Sequence, residues 1–107
     1  MNDLTIEELR RLCAAGSVLW STHVLERLQE RGILRKDVRN AIMTGEIIEH
    51  YPLDYPYPSC LVLGANIAGQ WLHVVCGVGD GNIYIITAYH PTPDKFEADN
   101  RTRKGCL

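Results

Sequence analysis

Three side chains able to act on phosphate follow one another at intervals of four: His23, Arg27 and Arg31. In a helix each would lie about 40° further round than the last, so all three share one face. Val24, Leu25 and Leu28 form the adjoining apolar stripe, and Glu26, Gln29 and Glu30 fall on the far side. The row is therefore expected at the border of the core, half buried. An imidazole titrates near neutrality and a guanidinium is permanently charged. Together they suit proton transfer beside a phosphate.

A second set lies in the C-terminal half. His73 sits within the apolar run Trp71–Val78, where alternation puts Leu72, Val74, Cys76 and Val78 on one face and His73, Val75 and Gly77 on the other. In the next run Ile83, Ile85, Thr87 and Tyr89 share a face, opposite Tyr84, Ile86, Ala88 and His90. His73, Thr87 and Tyr89 beside a helix carrying His23 and Arg27 would form a polar cleft, if strand register brings them to one side. Plainer roles compete. His23 and Arg27 can serve helix capping and a structural ion pair, for example with Glu30 or Glu46, His73 can be a satisfied half-buried histidine, and His90 can be a surface residue. Tyr51, Tyr55 and Tyr57 can pack over a sheet edge or stack on bases. The residues alone leave these alternatives open.

Other chemistries lack their motifs. No histidines or cysteines have zinc-ligand spacing. Gly77-Val-Gly79-Asp-Gly81 lies between strands rather than before a helix, and there is no Gly-x-Ser-x-Gly elbow. Cys13, Cys60, Cys76 and Cys106 are widely separated, which fits buried free thiols better than a disulfide framework. No metal site and no cofactor are expected.

The elements that must position these groups change character at Gly45. Thr5-Ile6-Glu7-Glu8 is a capping-box pattern, and a first helix is expected from about Thr5 to Ala15, ended by Gly16. Ser21 or Thr22 caps a second helix that stops at Gly32 in the C′ position. A third helix spans about Arg35 to Thr44, with Ile33 and Val38 as its hydrophobic staple. Then come β runs at Glu46–Tyr51, Cys60–Gly64, Trp71–Val78 and Ile83–Tyr89. A proline-rich connection follows the first, and the turns Asn66–Gly69 and Gly79–Asn82 suit antiparallel hairpins. A short helix near Pro93–Asn100 precedes a fraying tail. The fold class is α+β: N-terminal helices packed on one face of a four-stranded antiparallel sheet.

The chain has 107 residues, 46% of them hydrophobic, which is one domain with a core of its own. No signal peptide or membrane-spanning run is present, so a soluble cytoplasmic protein is expected, with no membrane partner. The net charge of −2 argues against a general nucleic-acid coat protein. It is unevenly spread. Residues 46–99 carry seven acidic groups and Lys95, whereas Arg27–Arg39 and the tail (Arg101, Arg103 and Lys104) are basic. If those basic segments met, they would make a local anion site.

The assembled pattern resembles a known family. Ser21-Thr-His23-x-x-x-Arg27-x-x-x-Arg31-Gly-Ile33, Val38, Gly45-Glu-Ile-Ile, Tyr51-Pro, Pro58-Ser-x-Leu-Val-Leu-Gly64, Leu72-His-Val-Val75 and Ile85-Ile-Thr-x-Tyr89-x-Pro91 carry it. They are similar to a bacterial and archaeal group catalogued as domain of unknown function 4258, over about residues 16–97. That group resembles the RelE/ParE, BrnT and MqsR toxins of type II toxin–antitoxin pairs, several of which are metal-independent mRNA endonucleases. The resemblance implies a RelE-like fold and a small zinc-ribbon antitoxin as partner. It also implies RNA cleavage by attack of the 2′-hydroxyl on the adjacent phosphorus. His73 and His23 would be base and acid, in either order, Arg27 and Arg31 would hold the phosphate, and Tyr89 and Thr87 would orient the scissile group. The chain departs from the pattern at Leu34, where the helix cap is commonly Ser. Its acidic charge also contrasts with many ribosome-dependent toxins. The alternative function is a non-catalytic protein-binding module of the same fold.

Overall fold

The computed structural model describes residues 4–92, 99, 100 and 102. The expected tail helix and the basic residues Arg101, Arg103 and Lys104 lie outside the described residues.

Three helices precede most of the sheet: α1 (Ile6–Ala14), α2 (Thr22–Glu30) and α3 (Arg35–Thr44). Their ends follow from local chemistry. Thr5 Oγ1 accepts from the Glu8 N–H at 3.1 Å, and Ser21 Oγ accepts from the Val24 N–H at 3.1 Å. The reciprocal half of the first capping box is missing, because the Glu8 carboxylate turns to Arg11 instead. Leu34 has no capping group, and Asp37 compensates by accepting the Leu34 N–H at 3.0 Å. Gly32, at φ +69°, makes the left-handed turn that ends α2. Ile33 and Val38 are both buried at the start of α3, as the staple requires.

Among the described residues the sheet has five strands, not four, and is mixed rather than antiparallel. Its order is β1-β5-β4-β3-β2, with β1 (Val18–Leu19), β2 (Glu46–Tyr51), β3 (Ser59–Ala65), β4 (Trp71–Gly79) and β5 (Asn82–Tyr89). Four of these match the expected runs. The addition is β1, which pairs in parallel with Ile83 and Tyr84 of β5. The Ile83 N–H donates to the Ser17 carbonyl at 2.8 Å and completes that short ladder. The β4–β5 turn places Asp80 and Gly81 at positive φ, the twist that suits a two-residue hairpin. The Tyr55–Pro56 peptide bond is cis.

The helices cover one face of the sheet. Val24 and Leu28 of α2, and Val38, Ala41 and Ile42 of α3, pack with Val62, Leu72, Val74 and Cys76 in one buried cluster. Contact between α3 and β3 is unusually close. A Cβ on Gly64 would lie within 2.7 Å of Ala41 Cα, so only glycine lets the two backbones meet. Asp37 ties α3 to the β3–β4 turn as well, accepting the Ile67 N–H at 3.1 Å. Cys13, Cys60 and Cys76 are free and buried. Cys60 and Cys76 face each other across β3 and β4. The contact with Cys60, followed by burial, pushes the Cys76 thiol well above its ordinary range. No helix among the described residues is long and apolar enough to cross a membrane.

Candidate functional site

His23, Arg27 and Arg31 do share one side of α2, but all three are exposed rather than half buried. Leu28 and Val24 fill the helix's contact with the core and leave the row in solvent. Arg27 Nη1 donates to Glu30 Oε1 at 3.1 Å, the plainer of the roles open to it. Arg31 reaches round the sheet. Its Nη1 donates to Thr87 Oγ1 at 3.0 Å and to the Ala88 carbonyl at 2.9 Å. Because β1 pairs only with Ile83 and Tyr84, no strand among the described residues lies beside this part of the β5 edge, and Arg31 satisfies it.

His73 lies elsewhere. Its neighbours Leu72 and Val74 point into the helix-covered core, so His73 points to the opposite face of the sheet. It is 0% exposed. Its Nε2 lies 2.7 Å from the Asn100 carbonyl. A carbonyl only accepts, so Nε2 carries the proton and donates. Tyr89 is its cross-strand partner, with the rings edge to face at 5.3 Å. His90, at the end of β5, is exposed and directs Nδ1 to the Trp71 carbonyl at 2.9 Å.

A bulge decides these positions. Val75 pairs with Thr87 but Cys76 pairs with Ile85, leaving Ile86 as an extra residue in β5. Ile83 and Ile85 therefore share the helix-covered face with Ala88, while Thr87 and Tyr89 face the other way. This corrects the simple alternation, which grouped Ile83, Ile85, Thr87 and Tyr89. The structure thus brings together Arg31 with Thr87, and His73 with Tyr89, along one stretch of β5. It does not bring His23 and Arg27 to His73, because α2 and His73 are on opposite sides of the sheet.

Sequence reasoning passed over a groove on the face of the sheet opposite α2 and α3. It encloses about 470 Å³ between the segment Asp54–Tyr57 and a floor of Gly77, Tyr84 and Ile86. The Tyr57 ring stacks on Tyr84 with centroids 5.1 Å apart and planes at 22°. It lies over Gly79, where a Cβ would overlap the ring. Its hydroxyl donates to Asp80 Oδ2 at 2.6 Å, and that bond, with some desolvation, pushes the phenol up to about 12. The glycines spaced by two in β4 were the signal. With no side chains on that face, a ring can lie flat on the strand. Among the described residues no three histidine, cysteine or acidic side chains group as a metal site.

Helices followed by an antiparallel-rich sheet, with the His/Arg row on α2, make a small α+β domain. The chain belongs to the family described as domain of unknown function (DUF4258), whose profile matches residues 20–90. That span runs from just before α2 to the end of β5, and so includes every candidate site residue. No curated protein and no solved structure matches the chain.

Proposed function

We propose that this chain is a non-catalytic protein-binding module of its family. The observation that carries the reading is the placement of His73: fully buried, donating to the Asn100 carbonyl, and across the sheet from His23 and Arg27. A general base must come within hydrogen-bond reach of the proton it removes. His73 has no such access, and the carboxylate paired with the α2 row is Glu30, which Arg27 holds in solvent on the other side of the sheet from His73. The resemblance to type II toxins supplies the partner class, a small zinc-ribbon protein of the antitoxin kind.

Diethyl pyrocarbonate modification of the native protein tests the reading. His23, His50 and His90 are exposed and should be modified, while His73 should remain intact until the protein unfolds. Modification of native His73 at the rate of the other three would contradict it.

A second reading, metal-independent RNA cleavage by a RelE-like toxin, is favoured by one observation. Arg31–Thr87 and His73–Tyr89 are neighbouring pairs on β5, which gathers four of the six candidate residues. It requires displacement of Asn100 from His73 before any RNA could be reached. Loss of the histidine protection on adding RNA would support it.

A further inference from the structure

Building on the binding-module reading, we propose that the groove between Asp54–Tyr57 and strands β4 and β5 is a docking site. Its occupant would be an arginine-bearing, extended segment of a partner protein. The groove is built before any ligand arrives. Tyr57 is held by its stack on Tyr84, by its bed on Gly79 and by its bond to Asp80, so little side-chain freedom remains to be lost. Tyr55 beside it is 93% exposed and Ile86 on the floor is 48% exposed. Large apolar side chains gathered at one surface, rather than scattered, mark a place of contact.

Charge selects the occupant. Residues 46–92 contain Glu46, Glu49, Asp54 and Asp80 and not one lysine or arginine. Among the described residues lining the groove, a polyanion would find no cation to neutralise its phosphates. A guanidinium would find aromatic faces to stack on and the Asp54 carboxylate lining the groove. Arginine should surpass lysine, because only the planar group both stacks and donates in a fork. The volume suits a short stretch of extended chain, and a proline-bearing segment, already restricted, loses least on docking.

The experiment is an amide-resolved NMR titration of the whole chain with the synthetic peptide Pro-Arg-Pro-Pro-Arg-Pro. The expected result is saturable binding that shifts the amides of Gly77, Tyr84 and Ile86 and weakens with salt. The Lys-for-Arg peptide should bind several-fold more weakly. Ile86→Arg, at a half-exposed position, should reduce affinity by about tenfold with the spectrum of the folded protein retained. Tyr84→Ala is the second variant, should the first disturb β5. No binding into the millimolar range, or shifts confined to α2 and α3, would overturn the groove assignment and leave the binding-module reading standing. Stronger shifts of the same amides by oligouridylate would overturn the peptide occupant. Cleavage of that oligonucleotide would instead remove the binding-module reading itself.

Discussion

Truncating Leu28 to alanine tests which face of α2 meets the core, and so whether His23 and Arg27 lie in solvent. Leu28 is 2% exposed and belongs to the cluster shared by α2, α3 and the sheet. Leu→Ala removes three carbons, worth about 0.8 kcal/mol each in transfer. The cavity left between helix and sheet adds to this, for a loss of about 3–4 kcal/mol. Leu25, only partly buried, should cost about 1 kcal/mol on the same bookkeeping. Arg27→Ala removes a solvent-exposed ion pair with Glu30 and should cost less than about 1 kcal/mol. Urea unfolding, read as a midpoint shift at constant slope, gives all three values. If Arg27→Ala cost as much as Leu28→Ala, the row would be buried. The separation of α2's polar side from His73 would then be wrong.

Gly64→Ala should destabilise by about 2–3 kcal/mol, because the new Cβ meets the main chain of Ala41, which cannot swing aside; a loss under about 0.5 kcal/mol in the same unfolding assay would show that α3 and β3 are not in backbone contact. Tyr57 should titrate near pH 12, above the ordinary phenol value of 10.0. The neutral phenol is the form favoured by folding, so the stability from its bond to Asp80 is complete below pH 10 and is lost as pH rises through 12. Tyrosinate absorbance should show this step, Asp80→Asn should move it back towards 10, and no step above the ordinary value would refute the bond. Cys60 and Cys76 should resist iodoacetamide in the native protein at about pH 8 and react on unfolding; labelling of the native pair at the rate of a free thiol would show that β3 and β4 are not packed beneath the helices.

Much of the fold was legible because its boundaries are set by local chemistry. Thr5 and Ser21 announce helix starts, Gly16 and Gly32 announce stops, and the apolar runs after Gly45 give four strands within a residue of their ends. What escaped has non-local causes. The two residues of β1 have no periodicity to read and are made a strand by Ile83 and Tyr84, more than sixty positions later. Ile86 looks like any strand residue, yet as a bulge it reverses the faces of Thr87 and Ala88. The site was legible in part. Arg31 meets Thr87 and His73 meets Tyr89, but the cleft expected to join His73, Thr87 and Tyr89 to His23 and Arg27 is not assembled. Which side of the sheet His73 faces relative to α2 depends on packing of all three helices, and its partner, the Asn100 carbonyl, is 27 residues away. The tyrosine groove joins the proline segment to strands β4 and β5, and only the folded chain assembles it.

On the proposed binding-module function, the His/Arg row is presented without a nuclease site. The direct measurement is incubation of the folded protein with a labelled RNA, beside a matched oligonucleotide carrying a single 2′-deoxy substitution, with and without ribosomes. Both strands should remain intact under every condition. Cleavage of the RNA but not of the substituted strand, abolished by His73→Ala in a folded variant, would contradict it.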